Sequence, residues 1–253
     1  MPAPNAPELI GRPLVIAVDG PSGSGKSSVS REVARRLGLE YLDTGAMYRA
    51  ATWSVLDAGL DLTDSAAVAA HVRDLDLEMG TDPTAPGVRV NGRDIAAEIR
   101  ETRISTTVSA VATNLAVRAE LQLRQRNLIE SACKGEHGGC VAEGRDITTV
   151  VAPDADVRIL LTASEEARLA RRARDVHGSD DAAAVAATRD QVVRRDADDA
   201  TVSDFQVAAD GVLHLDSSGL NLEQTVLAVL EAVTQLATRT VTDLRTGASA
   251  VNR

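Results

Sequence analysis

Aromatic residues, cysteine and basic charge are all scarce in this 253-residue chain. Its aromatic residues, Tyr41, Tyr48, Trp53 and Phe205, are too few to form a surface on which successive bases stack. Acidic residues outnumber Lys and Arg by 37 to 27, and the formal net charge of −10 disfavours binding to nucleic acid or an anionic membrane. We therefore expect small anionic partners that bind in one local basic pocket.

Cysteine and long apolar segments are too limited for several other classes of protein. Cys133 and Cys140 have His137 between them, which leaves a tetrahedral metal site incomplete. A disulfide stays open at this spacing, but no secretory signal supports it, so reduced thiols in a cytoplasmic protein are expected. No segment approaches the roughly 18 apolar residues of a membrane helix. Residues 1–12 carry Pro2, Pro4 and Pro7, which predicts a flexible lead-in.

A glycine-rich loop between an apolar run and a helical pattern is the most informative feature that is present. The run Leu14–Val18 predicts a buried strand, and the pattern Gly-x-x-x-x-Gly-Lys-Ser begins at Gly20. Its glycines allow backbone N–H groups to converge on an anion, and the following helix contributes its positive N-terminal dipole. In such a loop Lys26 reaches the β- and γ-phosphates, while Ser27 binds Mg²⁺, largely through water and phosphates. The predicted nucleoside triphosphate site consists of Gly20, Pro21, Ser22, Gly23, Ser24, Gly25, Lys26, Ser27 and Ser28.

Short apolar runs alternate with helix-period stretches along the rest of the chain. The predicted strands are Leu14–Val18, Glu40–Leu42, Gly139–Ala142, Val157–Leu161 and Val212–Leu215. The predicted helices are Ser27–Leu37, Ala46–Ala58, Ser109–Ala132, Ser164–Arg174 and Leu222–Ala237. This alternation predicts an α/β fold in which a central parallel five-stranded sheet is flanked by helices. We expect one domain, residues 1–253, with a C-terminal tail at 238–253.

Two stretches interrupt the alternation. Residues 60–105 are polar and rich in turns, and Val88–Ile95 predicts a β-hairpin around an Asn-Gly turn. A small β-containing insertion is therefore expected there. Residues 168–200 have few large apolar side chains and many Arg, Asp and Ala residues, which favours an exposed, mobile helical flap. A core with two such excursions is typical of a kinase that closes over its substrates.

Charged residues cluster after two of the predicted strands. Asp43 or Thr44 can cap the helix that contains Arg49, and the Arg49 side chain can then reach a phosphate near the glycine-rich loop. Glu143, Arg145 and Asp146 follow another strand. The carboxyl ends of parallel strands border the ligand cleft in open α/β sheets, so these side chains are expected to point into it.

Two further charged clusters fall within the predicted flap. Arg168, Arg171 and Arg172 share one helix face by their spacing. Such a run is usually solvated surface, but opposite a phosphate-binding loop it can clamp the transferring phosphoryl group. The second cluster, residues 194–199, fits a binding site and a surface salt-bridge patch equally well.

Taken together, these segments resemble the bacterial cytidylate kinases, which belong to the P-loop nucleoside monophosphate kinases. The matching segments are Asp19–Ser27, Leu42–Arg49, the Asn91-Gly92 hairpin with Glu98–Arg100, Ser109–Arg126, Glu143–Asp146, Val150–Asp154 and Arg195–Asp199. The resemblance covers residues 14–236 and implies phosphoryl transfer from ATP to CMP and dCMP with Mg²⁺. It also implies a P-loop NTPase core with an insertion at 60–105 that binds the nucleoside monophosphate and a helical lid at 168–200. We expect a cytoplasmic monomer that binds neither nucleic acid nor a membrane.

The resemblance further implies roles for individual residues. The implied catalytic residues are Lys26, Arg145, Arg168 and Arg172. The implied acceptor-binding residues are Thr44, Arg49, Ser109, Arg118, Glu143, Arg145, Asp146, Arg195 and Asp199. Within this set, Arg49 and Arg145 match the positions that bind the CMP phosphate. Ser109, Arg118 and Asp146 match those that read cytosine, whose amino group suits a carboxylate and whose carbonyl suits an arginine. Arg195 and Asp199 match positions near the sugar.

Two positions depart from the family pattern. Glu143 stands where the family often has Asp, and its extra methylene leaves its role near Mg²⁺ or the acceptor open. Val202 stands where many members have Arg, so either a lid arginine replaces that cation or the site tolerates its loss. The alternatives are another P-loop kinase, acting on UMP, AMP or a metabolite hydroxyl, and a nucleotide-dependent switch. The sequence has no Asn-Lys-x-Asp guanine-reading motif and has a second set of arginines, both of which disfavour a switch.

Overall fold

A parallel sheet of five strands lies at the centre of residues 11–235, the part of the chain that the computed structural model describes. Its strands are β1 (Leu14–Asp19), β2 (Glu40–Asp43), β6 (Gly139–Gly144), β7 (Val157–Thr162) and β8 (Leu213–Asp216). Their order is β2-β6-β1-β7-β8, and all neighbours are parallel. The α/β fold class predicted from the sequence is confirmed, and each predicted strand lies within one or two residues of an observed one.

Helices cover both faces of this sheet. They are α1 (Lys26–Leu37), α2 (Thr44–Asp57), α3 (Ser65–Arg73), α4 (Thr102–Ala112), α5 (Leu115–Lys134), α6 (Glu165–His177), α7 (Ala182–Asp199) and α8, which includes residues 222–235. β1 contacts both layers. Ala17 packs in the cluster with Met47 and Val117, whereas Ile16 and Val18 pack on the opposite face. A strand that is buried on both faces has a continuous apolar sequence, which explains why the first predicted run showed no alternation.

The single helix predicted over Ser109–Ala132 is wrong. The chain forms two helices there, α4 and α5, which are separated at residues 113–114. Asn114 begins the second helix, because its side-chain oxygen accepts the backbone N–H groups of Ala116 at 3.0 Å and Val117 at 3.4 Å. Asparagine favours this capping position, so it was the local signal for the break.

The stretch at 60–105 contains a small antiparallel sheet, as predicted. Its strands are β3 (Leu77–Met79), β4 (Val88–Val90) and β5 (Arg93–Asp94). Asn91 and Gly92 form the turn with positive φ angles of 50° and 74°, which confirms the Asn-Gly hairpin. The helix α3 within the same stretch was not predicted. It begins at Asp64, whose carboxylate accepts the N–H of Ala67.

α6 and α7 pack against each other and form what we call the arm. The predicted helical character is present, and the predicted exposure holds for part of the arm only. Leu169 and Ala173 of α6 and Val192 of α7 are buried. α7 also packs against α4, so the arm contacts the segment that follows the small sheet.

The cysteines of the sequence are both free thiols, which answers the disulfide question that the spacing left open. Among the described residues there is no cluster of His, Cys, Asp and Glu able to hold a metal ion by themselves. No helix in residues 11–235 has the length and hydropathy needed to cross a membrane. Residues 1–10 and 236–253, where most of the flexible lead-in and the C-terminal tail are expected, lie outside the described residues.

Candidate active site

The glycine-rich loop between β1 and α1 approaches neighbouring backbone too closely for side chains at two positions. A Cβ at Gly20 would overlap the carbonyl oxygen of Leu161, and one at Gly23 would overlap that of Arg168. Both glycines have positive φ angles, 152° and 76°. Within the described residues, α1 has neither a side-chain cap nor an acidic residue in its first turn. Its N-terminal N–H groups and helix dipole are therefore available to an anion.

Three side chains meet where this loop enters the helix. The Ser27 hydroxyl donates to Oε1 of Glu143 at 2.6 Å, and the Tyr41 hydroxyl donates to the same oxygen at 3.1 Å. Glu143 is buried, and this burial, with the nearby Asp43 carboxylate, raises its pKa. The opposite happens at Lys26, where burial and the charge of Arg145 lower the pKa from 10.5 to about 8. The site therefore holds a carboxylate and an ammonium whose charged forms are both disfavoured by burial.

A cavity of about 170 Å³ opens on this side of the loop. Its cationic lining residues are Lys26 of α1, Arg49 of α2, Arg145 after β6, Arg172 of α6 and Arg195 of α7. The other lining residues include Ser22, Gly23, Gly25, Ser27, Ser28, Asp43 and Glu143. Five elements distant in sequence thus converge here. Such an arrangement can bind and neutralise several phosphate charges at once.

The position of Arg49 is set by the start of α2. Asp43 is the capping residue, because its Oδ1 accepts the N–H of Ala46 at 2.7 Å, while its Oδ2 accepts Arg49 Nη2 at 3.0 Å. Thr44 instead turns inward, and its hydroxyl donates to the backbone carbonyl of Glu143 at 2.7 Å. Of the two capping residues that the sequence allowed, the structure uses Asp43.

Each nitrogen of the Arg145 guanidinium has a hydrogen-bond acceptor. Its Nε donates to Oδ2 of Asp199 at 3.0 Å, its Nη2 donates to Oδ1 of Asp196 at 3.0 Å, and its Nη1 donates to the carbonyl of Gly20. The guanidinium lies over the Phe205 ring, 4.6 Å from its centroid. A planar cation with five donors can be fixed in this way, whereas a lysine cannot.

Arg118 and Asp146 form a buried ion pair beside this region. Gln122 Nε2 donates to the same carboxylate oxygen, Oδ2 of Asp146, at 2.7 Å. The pair lines a small cavity of about 40 Å³ together with Tyr48 and Asp199. A carboxylate and an arginine side by side offer an acceptor and donors to the edge of a planar base.

The sequence profile of the family described as cytidylate kinase matches residues 16–235. The chain belongs to the cytidylate kinase family. Among its relatives, the cytidylate kinase of Streptomyces avermitilis is 46% identical over 221 residues, covering 87% of this chain and 92% of the relative. That of Nocardia farcinica is 48% identical over 229 residues, with 88% and 94% coverage. That of Rhodococcus opacus is 49% identical over 228 residues, with 88% and 95% coverage.

The residues that the cytidylate kinase resemblance marked as cytosine readers do not all share one cavity. Ser109 lies on α4 but lines a separate cavity of about 340 Å³ between α4 and the arm, together with Arg194 and Asp190. Its neighbours on α4, Val108 and Ala112, line the cavity of Arg118 and Asp146 instead. Arg195 lines both of these cavities and also the cationic one.

Three of the four arginines of α6 lie in different surroundings. Arg168 donates to the carbonyl of Ser22 at 3.0 Å and to the carboxylate of Asp196, and Arg172 lines the cationic cavity. Arg171 lies on the other side of the loop, where it donates to the carbonyls of Ser24 at 3.1 Å and Ser217 at 2.7 Å. Burial lowers the pKa of Arg171. Through its two hydrogen bonds, Arg171 fixes the loop to the segment before α8.

A second, larger cavity of about 630 Å³ lies on that side of the loop. Gly23, Gly25 and Ser28 line both it and the cationic cavity, so the glycine-rich loop separates the two. The far wall of the larger cavity is formed by residues 218–222 and by Arg171 and Arg174.

Several residues of this cytidylate kinase site were missed by sequence reasoning. Tyr41 carried no signal beyond its place in a short strand. Gln122 was one polar residue among many on a helix. Asp196 stood within a recognised charged cluster, but its neighbours Arg195 and Asp199 were selected instead. Asp19 accepts the N–H groups of Ile147 at 2.9 Å and Thr148 at 2.7 Å, and so fixes the turn that follows Asp146.

Proposed function

We propose that this chain transfers the γ-phosphoryl group of ATP to CMP and dCMP, which yields ADP and CDP or dCDP. The observation that supports this most directly is the placement of one phosphate-binding loop between two cavities. One cavity is cationic and adjoins the buried pair of Arg118 and Asp146, and the other is larger and has fewer charged lining residues. A nucleotide-dependent switch needs a single nucleotide site, whereas a nucleotide kinase needs two that meet at the phosphates.

The donor occupies the larger cavity and the loop. Backbone N–H groups of residues 23–28 and the N-terminus of α1 receive the β- and γ-phosphates, and Lys26 contacts them through Nζ. In the structure, Lys26 Nζ donates to the backbone carbonyl of Pro21 at 3.0 Å, within the loop itself. The adenosine part of ATP lies in the cavity of about 630 Å³, beside residues 218–222.

Ser27 and Glu143 would hold Mg²⁺. Their oxygen atoms lie 2.6 Å apart at the start of α1, and Mg²⁺ prefers oxygen ligands from one or two protein groups, with phosphates and water completing its shell. Because the Ser27 hydroxyl donates its proton to Glu143, the lone pairs of its oxygen remain available. When bound, the ion would neutralise part of the negative charge of the ATP phosphates. The longer Glu143 side chain fits this role because Tyr41 and Ser27 both hold its Oε1.

The acceptor phosphate lies in the cationic cavity against Arg49 and Arg145. Val202 deprives this chain of one arginine that many family members have, and Arg172, which lines the same cavity, supplies that charge. Asp199 and Arg195 lie at the sugar, and Asp146 with Arg118 reads the base. The base cavity of about 40 Å³ is far smaller than the donor cavity of about 630 Å³. Acceptor binding therefore requires this pocket to widen.

The reaction needs no nucleophile from the protein. An oxygen of the acceptor phosphate attacks the γ-phosphorus, the bond to the β–γ bridging oxygen breaks, and ADP leaves. The protein aligns the two nucleotides and stabilises the charge on the transferring group through Lys26, Arg145, Arg168 and Arg172. The arm acts as the lid that excludes water, and the segment containing the small sheet contributes to acceptor binding.

An ADP-release assay tests this function directly. The protein is incubated with ATP and Mg²⁺ against CMP, dCMP, UMP, AMP and GMP, with an acceptor-free control. Turnover with CMP and dCMP well above the other acceptors supports the proposal. Preference for another monophosphate would leave a nucleotide kinase but overturn the roles given to Asp146 and Arg118. ATP binding without acceptor-dependent turnover would instead favour a nucleotide-dependent switch.

A further inference from the structure

Asp196 belongs to the arm, yet its carboxylate contacts the phosphate-binding loop. Its Oδ1 accepts the backbone N–H of Ser22 at 3.0 Å and Nη2 of Arg145 at 3.0 Å. Its Oδ2 accepts Nη1 of Arg168. The three donors come from the loop after β1, the segment after β6 and α6, so one carboxylate joins three separate parts of the site.

This contact differs from an ordinary surface salt bridge. Asp196 is only 8% exposed, and the side chains of Arg145 and Arg168 are 15% and 14% exposed. Charge-assisted hydrogen bonds in such partly buried surroundings fix geometry more strongly than exposed ion pairs do. Removing the carboxylate would leave two partly buried guanidinium groups without a common acceptor.

The arm also supplies a second carboxylate that orients Arg145. Asp199 lies three residues after Asp196 on the same face of α7 and accepts Nε of Arg145 at 3.0 Å. Phe205, which follows α7, lies under its guanidinium. The carbonyl of Gly20 is the acceptor that belongs to the core. The orientation of Arg145 therefore depends on where the arm lies.

We propose that Asp196 is a positioning residue that makes the orientations of Arg145 and Arg168 depend on contact between the arm and the phosphate-binding loop. This inference rests on the proposed function, since it concerns the same two arginines. When α7 contacts the loop through Ser22, Asp196 holds both guanidinium groups beside the path of the transferring phosphoryl group. When α7 moves away, Arg145 loses two carboxylates together.

The consequence is that the charge-stabilising arginines are assembled only when the arm covers the site. Arm closure then both excludes water and completes the catalytic geometry, which limits transfer of the phosphoryl group to water. Small displacements are costly in such a site, because an error of about 1 Å in the position of a catalytic group can lower the rate about 100-fold.

The test compares Asp196→Asn with the control Asp190→Asn, which removes the same charge from an exposed position on the same helix. We expect Asp196→Asn to lower kcat at least about tenfold while the KM for ATP changes less than about threefold. Hydrogen exchange of residues 182–199 in the ligand-free variant should be faster than in the unmodified protein. Asp190→Asn should leave kcat, the KM for ATP and hydrogen exchange unchanged.

A double-mutant cycle with Arg145→Lys adds a readout that a purely structural role would not give. If Asp196 acts through Arg145, the loss of kcat in the double variant is smaller than the product of the two single losses. Independent, multiplicative losses would overturn the proposal. So would an Asp196→Asn variant that matches Asp190→Asn in kcat and in hydrogen exchange.

If Asp196→Asn does not fold, Asp196→Glu retains the charge but displaces the carboxylate, and an unchanged kcat in that variant overturns the inference. If the unmodified protein phosphorylates no monophosphate, the proposed function fails. Faster exchange of α7 in Asp196→Asn would then still support the positioning role, and unchanged exchange would overturn it.

Discussion

Ser27 and Glu143 are joined by a hydrogen bond of 2.6 Å between the serine hydroxyl and Oε1 of the carboxylate. The first residue lies in the first turn of α1 and the second near the end of β6, 116 positions apart in the chain. Strand β6 lies between β1 and β2, so its carboxyl end adjoins the phosphate-binding loop. This relationship places a carboxylate where the proposed magnesium–phosphate complex would bind.

Glu143→Gln should impair metal use specifically. The amide keeps the shape of the side chain but removes the negative charge, so we expect weaker Mn²⁺ binding to the ADP complex and a fall in kcat of at least about 100-fold. Mn²⁺ titration followed by electron paramagnetic resonance measures the first effect without turnover. Tyr41→Phe, which deletes only one hydrogen bond to Oε1, should weaken Mn²⁺ binding by a smaller factor, up to about tenfold. Unchanged Mn²⁺ affinity in Glu143→Gln would exclude Glu143 from the metal site.

Lys26→Met should abolish turnover and stabilise the protein. The native pKa of Lys26 is about 8, below its ordinary value of 10.5, mainly because of burial and then because of Arg145. Between these two values the unfolded state binds more protons than the native state, so the cost of burying the ammonium is complete below pH 8 and declines as pH rises toward 10.5. The increase in Tm caused by Lys26→Met should therefore be larger at pH 7 than at pH 10.

Thermal unfolding of both proteins at the two pH values measures this difference. Groups distant from Lys26 titrate equally in the two proteins, so their contributions cancel in the comparison. An identical increase in Tm at both pH values would show that the pKa of Lys26 is not lowered by folding. A folded Lys26→Met protein with near-normal kcat would remove Lys26 from the donor site.

Arg49→Met should weaken acceptor binding without affecting the donor. The guanidinium lines the cationic cavity and is oriented by Asp43. Loss of one charge-assisted contact to a phosphate corresponds to a rise in the KM for CMP of about 10- to 100-fold. Steady-state kinetics with each substrate varied in turn measures the effect, with the exposed Arg89→Met as the control. A rise confined to the KM for ATP would place Arg49 in the donor site instead.

Asp146→Asn should reduce the preference for CMP over UMP. Asp146 accepts from both Arg118 and Gln122, and its loss leaves the buried Arg118 without a carboxylate, which costs about 3–5 kcal/mol of stability. Gln122→Ala keeps the ion pair and removes only the second donor, so it should change base preference in the same direction with less loss of stability. The ratio of kcat/KM values for CMP and UMP is the measurement. An unchanged ratio in both folded variants would contradict the base-reading role.

The predictable part of this site consists of residues that are close in sequence. The glycine-rich loop could be read directly because its glycines, Lys26 and Ser27 form one continuous segment whose function depends on local backbone geometry. Arg49 could also be predicted, since it lies only six residues after Asp43, the residue that caps its helix. The Asn-Gly hairpin was predictable for the same reason, because two adjacent residues determine its turn.

At the break between α4 and α5, the apolar periodicity concealed the capping signal of Asn114. The apolar periodicity across residues 109–132 continues through the break, so periodicity alone indicated one helix. Asn114 is the single residue that separates the two, and its capping hydrogen bonds exist only because the following helix starts there. A capping residue inside a periodic stretch therefore deserves equal weight with the periodicity.

By itself, the sequence determined that this chain is an α/β protein with a phosphate-binding loop, since apolar periodicity and local glycine geometry do not depend on distant residues. Only the tertiary structure decided which charges act together. Arg171 and Arg172 are neighbours in the chain, yet one fixes the loop to Ser217 and the other lines the cationic cavity, because successive helical residues point about 100° apart. Asp196 likewise acquires its three partners only when α7 packs against the core, since those partners are brought together by folding and not by sequence.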